Sequence, residues 1–259
     1  MESVKEQSWQ DFEHIVVDGN STDGSLELIK SYSYPALSYI SEPDSGIYNA
    51  MNKGIARAQG KYLLFLNSGD YLENNEVLNN VRTIFDGDTS IISGNIVFNK
   101  NGETRLRKHP EQMTFSYLVG NAISHPSTFI KSELFQTYGS YNEDYKIVSD
   151  WAFFLKVLGL NNESYSNLDQ TISVFDASGI SSKEENHKRI YKERNEVLKT
   201  YFPRVFNNDN DTYIFNNFKT TSKRFKYLQR IEGQPFIRKI TTVFLGFMDS
   251  IIRIFKASK

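Results

Sequence analysis

HIVVDGNSTDGSLELIK, residues 14–30, carries three local signals in a row. His14-Ile15-Val16-Val17 is rich in β-branched residues and closes on Asp18-Gly19, the pattern of a short buried strand. Ser21-Thr22-Asp23-Gly24 then sets hydroxyls and a carboxylate ahead of the Leu/Ile-periodic run 25–30. That is an N-cap signal before a helix. The order is strand, polar turn, helix.

The order repeats outward along the chain. Residues 37–40 (LSYI) predict a second strand, followed by the loop 42–46 (EPDSG) and a helix over 47–59 that ends at Gly60, a C-cap candidate. Residues 62–66 (YLLFL) form a near-continuous apolar run, as expected of a strand covered on both faces. It ends in Asn67-Ser68-Gly69-Asp70. A helix over 75–85 and a strand over 90–93 follow. Alternating strands and helices predict an α/β fold with a mostly parallel central sheet flanked by helices. Ligands of such sheets sit beyond the carboxyl ends of the strands. The acidic loops 18–24, 42–46 and 67–70 all lie at predicted strand ends, so they are expected to converge on one edge. Residues 95–150 read as mixed strands and loops, 151–158 and 184–201 as helical, and 207–221 as an Asn/Asp-rich linker.

Composition narrows the chemistry. Of 259 residues, 39% are hydrophobic and 24% charged, which is ordinary for a globular chain. With no cysteine, disulfides, thiolate metal sites and a Cys nucleophile are excluded. Four histidines make a His-rich metal centre an unpromising reading, and a net charge of −1 argues against nucleic acid as a partner. The opening MESVKEQSWQDFEH lacks the cationic and apolar regions of a secretory signal, and no apolar run reaches the length of a membrane span.

A nucleotide-sugar site needs a carboxylate for base or ribose, an acid for the divalent cation that screens the diphosphate, and a base for the acceptor hydroxyl. The acidic loops supply candidates for the first two. The motifs VVDGNSTDGS (16–25) and SEPDSGIYNAMNKGIARAQGKYLLFLNSGD (41–70), with SDW (149–151) and ASGISS (177–182) downstream, resemble the family 2 glycosyltransferases, from about residue 4 to residue 155. The likeness is greatest to bacterial members that build lipopolysaccharide, O-antigen or capsule.

The resemblance implies a glycosyltransferase-A-like nucleotide-binding fold over residues 1–205. It implies transfer, with inversion, from a nucleotide-diphospho-sugar to a glycan or lipid-linked acceptor, with Mg²⁺ or Mn²⁺ as cofactor. By motif position, Asp18 contacts the base, Asp44 the nucleoside, Asp70 the metal, and Asp150 is the catalytic base. Gly46, Asn49, Asn52, Lys53, Asn67 and Ser68 join the donor site. His125, Trp151 and Ser181 are candidates for the acceptor or diphosphate. For Asp18, Asp44 and Asp70 a plain turn or cap is the competing reading, and for Asp150 a helix N-cap.

Two departures from the family pattern stand out. The opening strand of the type V-S-I-I-x-P-x-Y-N has no counterpart, the chain starting inside the helix expected to follow it. The family's D-x-D appears as Asn67-Ser68-Gly69 followed by Asp70, with one carboxylate. The alternative reading is therefore a non-catalytic binding domain.

Charge is unevenly spread. Residues 222–259 hold nine basic and two acidic side chains, a net +7, leaving −8 on the remainder. After a linker over 206–234, residues 235–259 place Phe236, Ile240, Val243, Phe247, Ile251 and Ile254 at helical spacing beside basic residues. This predicts an amphipathic helix, docked on the protein's own core or lying on the inner face of a membrane, with an otherwise cytoplasmic protein.

Overall fold

A computed structural model describes residues 1–85, 88–203, 206, 240–243 and 246. The chain divides into two compact units, Met1–Phe202 and Pro203–Lys259. In the second, residues 240–243 are helical. The expected linker 206–234 and the rest of the expected amphipathic helix 235–259 lie outside the described residues, save residue 206 and residue 246. No helix among the described residues is long and apolar enough to cross a membrane.

The first unit opens with α1 (Glu2–Lys5) and then builds the expected alternation: β1 (His14–Asp18), α2 (Ser25–Ser31), β2 (Leu37–Ser41) and α3 (Ile47–Arg57). Each forms where its composition says it should. β1 is made of β-branched residues. α3 follows Gly46, places Arg57 in its last turn, and stops where Ala58 turns extended. Next come β3 (Tyr62–Leu63), β4 (Tyr71–Leu72) and α4 (Val77–Val81), the last with a 3₁₀ turn through Ile84. The helix expected over 75–85 is thus shorter.

The longest strands follow. β5 (Ile91–Lys100) turns back into β6 (Glu103–Arg107), and after α5 (Phe115–Gly120) come β7 (Thr128–Lys131) and α6 (Glu133–Tyr138). α7 (Ser149–Phe154), which runs on as a π-helical turn to Leu160, β8 (Tyr165–Asp176) and α8 (His187–Tyr201) complete the unit.

The α/β class stands, with helices flanking the sheets, but the pairing is mixed rather than mostly parallel. β1 and β2 form a separate parallel pair. The other six strands form one sheet in the order β3-β7-β5-β8-β4, with β6 on β5. There only β5–β8 is parallel, while β3–β7, β5–β7, β5–β6 and β4–β8 are antiparallel. Part of the cause is local. Asn101 and Gly102 both have positive φ, 54° and 90°, the two-residue turn that sends a strand straight back on itself.

The core lies along β5, where Ile91 through Ile96 are buried. One cluster joins Ile92, Phe129, Leu168 and Ile172 to Val77 and Val81 of α4 and Val4 of α1. Phe135 stacks on Phe153 at 4.6 Å between ring centres, and Tyr141 meets both edge-on. These packed rings anchor α7, whose second residue is Asp150.

Candidate functional site

Asn67, Ser68, Asp70, His125, Asp150 and Ser181 all line one groove of about 820 Å³. They come from the turn after the apolar run 62–66, the 3₁₀ turn His125–Ser127, the start of α7 and the 3₁₀ turn Ile180–Ser182. Residues up to 114 positions apart in sequence thus meet at one place.

A hydrogen-bonded chain runs through the centre. Asn67 Nδ2 lies 2.8 Å from His125 Nε2, and His125 Nδ1 lies 2.8 Å from Asp150 Oδ2. With Asn67 donating to Nε2, His125 presents its Nδ1 proton to the carboxylate. The Tyr48 hydroxyl of α3 reaches both Asp150 Oδ1 (2.9 Å) and the Ile147 carbonyl (2.6 Å). Burial pushes the Asp150 carboxyl up, but the hydrogen bonds from His125, the Tyr48 hydroxyl and the backbone N–H of Trp151 together outweigh it and hold Asp150 below the ordinary carboxylate range. Asp150 is therefore an ionised, largely buried carboxylate at a helix N-terminus. Burial pushes the Tyr48 phenol up, with Asp150 adding to it, so Tyr48 stays protonated.

Asp150 is placed from behind. Glu193 of α8 is buried and accepts the backbone N–H groups of Lys146, Ile147 and Val148 at 3.1, 3.0 and 3.3 Å. Those donors lie just ahead of α7. The Arg194 guanidinium sits 4.6 Å over the Trp151 ring, and burial lowers its pKa to about 10.

Asp70 closes the turn it ends. Its Oδ2 accepts the Asn67 N–H (3.1 Å) and its Oδ1 the Asp176 N–H (3.0 Å), so it ties the turn to the end of β8. Burial raises its pKa, against the hydrogen bonds from Asp176 and Asn67. Gly69, at φ +94°, allows the close approach: a Cβ there would lie 2.7 Å from Asp176 Oδ2. Asp176 also lines the groove. The two carboxylates are hard oxygen donors side by side. No set of three His, Asp or Glu side chains with metal-binding geometry occurs among the described residues. The residues fit a cation that keeps waters and takes its remaining ligands from substrate phosphates, the usual Mg²⁺ arrangement.

The other expected residues have different surroundings. Asp18 is buried at the end of β1. Its carboxylate accepts Ser41 Oγ (2.6 Å) and the Ser21 N–H (3.2 Å), and hydrogen bonds from Ser21 and Ser41 lower its pKa. Asp44 is exposed and accepts the Gly46 N–H at 2.9 Å. A Cβ on Gly19 would fall inside the Asp44 carboxylate, so the 18–24 and 42–46 loops do converge.

Asn49, Asn52 and Lys53, expected at the donor, are held by protein groups. They share one face of α3, and that face meets protein. Asn49 and Asn52 donate to the two oxygens of Glu143 at 2.9 Å each, and Asn52 also to the Tyr141 carbonyl. Lys53 bonds the Pro43 carbonyl at 2.7 Å and pairs with Glu42 at 3.0 Å. Trp151 is likewise internal. It is buried and donates Nε1–H to the Leu118 carbonyl at 2.6 Å, because the WAFF run of α7 is apolar all round. Sequence reasoning passed over Tyr48, Glu143, Asp176 and Glu193. Asp176 carried the same signal as Asp18 and Asp70, an acid at a strand end.

Residues 1–153 match the family model for glycosyl transferase family 2. The chain belongs to glycosyl transferase family 2. A PGL/p-HBAD biosynthesis glycosyltransferase of Mycobacterium bovis is 30% identical over 162 residues, 60% of this chain. The match spans 62% of that relative's length. An uncharacterized glycosyltransferase of Mycobacterium tuberculosis is 30% identical over 189 residues, 71% of each chain. Among solved structures, Staphylococcus aureus TarS 1–349 in complex with UDP-GlcNAc aligns with TM-score 0.57 at 19% identity, over 87% of this chain and 72% of that one. The mannosyltransferase PcManGT of Pyrobaculum calidifontis, in complex with GDP-Man and Mn²⁺, aligns with TM-score 0.53 at 14% identity, over 93% and 77%. These structural likenesses establish the glycosyltransferase-A type of fold for this family 2 chain.

Proposed function

We propose that the chain transfers a sugar from a nucleotide-diphospho-sugar to a hydroxyl of a glycan or lipid-linked acceptor, with inversion, in cell-surface polysaccharide synthesis. The observation that carries this is the chain Asn67–His125–Asp150–Tyr48, which sets an ionised carboxylate in the same groove as Asp70. In this reading the acceptor oxygen attacks the anomeric carbon as the bond to the diphosphate breaks. Asp150 takes the hydroxyl proton, and a single in-line displacement inverts the carbon. His125 and Tyr48 orient Asp150. Its low proton affinity keeps it ionised at neutral pH, ready to accept.

Asp70 and Asp176 would hold a Mg²⁺ or Mn²⁺ ion. When bound, that ion screens the charge of the departing diphosphate. Asp18 and Asp44, at the converging loops, are the side chains we assign to the nucleoside, and Ser68 and Ser181 to the diphosphate or acceptor. The structural neighbours support this reading: TarS is seen in complex with UDP-GlcNAc, and PcManGT in complex with GDP-Man and Mn²⁺.

The test is calorimetric titration of a panel of UDP- and GDP-sugars, with and without Mn²⁺, against wild type and Asp70→Ala. We expect one donor class to bind in a Mn²⁺-dependent way, and Asp70→Ala to weaken it at least tenfold. A panel in which no donor binds overturns the proposal. Equal Mn²⁺-dependent affinity in both proteins overturns the role of Asp70.

A further inference from the structure

Side chains along paired strands alternate between the two faces of a sheet. On one face, Leu72, Ser173 and Ile96 stand in register and are buried. Phe175 shares that face, packs on Phe98 at 5.2 Å between ring centres, and lines the groove that holds Asp70 and Asp150. The neighbouring register lies on the opposite face. It runs across four strands as Tyr71, Val174, Val97 and Leu106. Tyr71 is 43% exposed and Leu106 50%, although each carries a large apolar surface.

This second face has a cavity of its own, of about 240 Å³. It opens at the strand ends, where Asn99 stands beside Asp176 in register. Tyr71, Val174, Asn99, Asn101 and Asp176 line it, together with the glycines of the 67–70 and 101–102 turns. Asp176, at the end of β8, also lines the first groove, so the two cavities share one wall.

The polar groups there are uncommitted. Asn99 Oδ1 accepts the Gly102 N–H at 3.0 Å, which leaves both Nδ2 protons without a partner among the described residues. The Asn101 amide and the Tyr71 hydroxyl also have no hydrogen-bond partner among them. No basic side chain lines the cavity, and Asp176 places a carboxylate in it, so a phosphate or another anion is repelled. The ligand that fits carries no negative charge. It has a flat apolar side for an exposed aromatic ring and a rim of groups that both donate and accept. A pyranose has this make-up, with C–H groups on a face and hydroxyls around the edge.

We propose that the second cavity is a subsite for one neutral sugar residue of the acceptor glycan, seated on the Tyr71 ring with its hydroxyls on Asn99, Asn101 and Asp176. The proposal rests on the sugar-transfer reading and narrows its acceptor. Asp150 works on the other face of the sheet, so the sugar held here is not the one whose hydroxyl reacts. The acceptor therefore has at least two sugar residues, and its chain passes the strand ends at Asp176.

The probes are the methyl glycosides of glucose, galactose, mannose, rhamnose and N-acetylglucosamine. Each is titrated into the full chain labelled with nitrogen-15, without metal or nucleotide. At least one is expected to shift the Asn99, Asn101 and Gly102 amides in a saturable way. Tyr71→Ala is expected to weaken that binding about tenfold, and Tyr71→Phe, which keeps the ring, much less. Asn101→Gly keeps the left-handed turn at φ 54° and removes the amide, and is expected to weaken binding as well. Leu106→Glu, on the same face but outside the cavity, is expected to leave it unchanged. If Tyr71→Ala loses the wild-type spectrum, Asn101→Gly decides. Absence of a saturable shift with every glycoside, unchanged affinity in the deciding variant, or shifts of the same amides by UDP alone would each overturn the proposal. No donor is present in this titration, so its failure leaves the donor measurement standing, and a donor panel without binding leaves the glycoside result readable on its own.

Discussion

Asp150 illustrates how one residue's neighbours set its chemistry. Burial alone would favour the neutral acid, yet His125 and Tyr48 each hold one of its oxygens and keep it ionised. In the proposed role of base, a group of low proton affinity is weak in water and gains its effect from position. Asp150→Asn keeps the shape and removes the charge. We expect transfer to fall by about 10²–10⁴, with donor affinity within threefold of wild type. His125→Gln should lower the rate less and shift the acidic limb of the pH–rate profile, because it removes the group that depresses the Asp150 pKa. An Asp150→Asn enzyme within threefold of the wild-type rate would remove Asp150 from the mechanism. That Asp150 and Asp70 lie on one groove was legible from motif position. What they touch was not, because Tyr48, His125 and Asp176 are brought in by tertiary packing.

The elements were legible wherever a periodic run met a turn signal. The strand–turn–helix unit at 14–30 stands as read, and so does the next, except that its helix, expected over 47–59 with Gly60 as cap, ends at Arg57 where Ala58 turns extended. The Asn101-Gly102 turn was equally local, yet residues 95–150 were read only as mixed strands and loops, and the antiparallel half of the sheet was missed with it. The apolar run 62–66 was expected to be a strand in full, but only Tyr62 and Leu63 pair, both with β7. Among the helices, α7 depends most on another element. Glu193 satisfies three N–H groups ahead of it, two of them buried, which no pattern within residues 146–154 announces. Glu193→Ala leaves those donors unpaired, at about 1–3 kcal/mol each before relaxation. We expect a drop of about 3 kcal/mol in urea unfolding and a larger loss of transfer than of donor binding. A change under 0.5 kcal/mol would mean that water replaces the carboxylate.

At the scale of the molecule, two histidines couple folding to acidity. Burial lowers His109, with Arg107 adding to it, and burial lowers His14, with the chain's amino terminus adding to it; both fall to about 4. Unfolded, each takes a proton near 6.5. A depressed native pKa means that the unfolded chain binds protons first, so stability is full above about 6.5 and is lost as pH falls toward 4. For His109, buried against Tyr117, the full effect is about 3 kcal/mol. We expect the melting temperature to fall steadily from pH 7 to pH 4.5, and His109→Gln to flatten the slope. A wild-type melting temperature constant across that range would show that both sites open to water.

The charge distribution sets the last expectation. Residues 222–259 carry a net +7 against −8 for the rest of the chain. Intermixed with that charge, Phe236, Ile240, Val243, Phe247, Ile251 and Ile254 recur every three or four residues. Basic charge beside a helical apolar stripe is the combination that holds a peptide at an anionic bilayer surface, with each Lys or Arg near it worth about 1 kcal/mol. A surface-held enzyme also meets a lipid-linked acceptor in two dimensions. We therefore expect the protein to sediment with vesicles containing phosphatidylglycerol and not with neutral ones, and to be released by 0.5 M salt, at which exposed charges a few ångströms apart are already screened. Removing residues 235–259 should abolish sedimentation while leaving one cooperative unfolding transition for the remainder. If the shortened protein loses that transition, the segment belongs to the fold and the charge asymmetry serves folding instead of attachment.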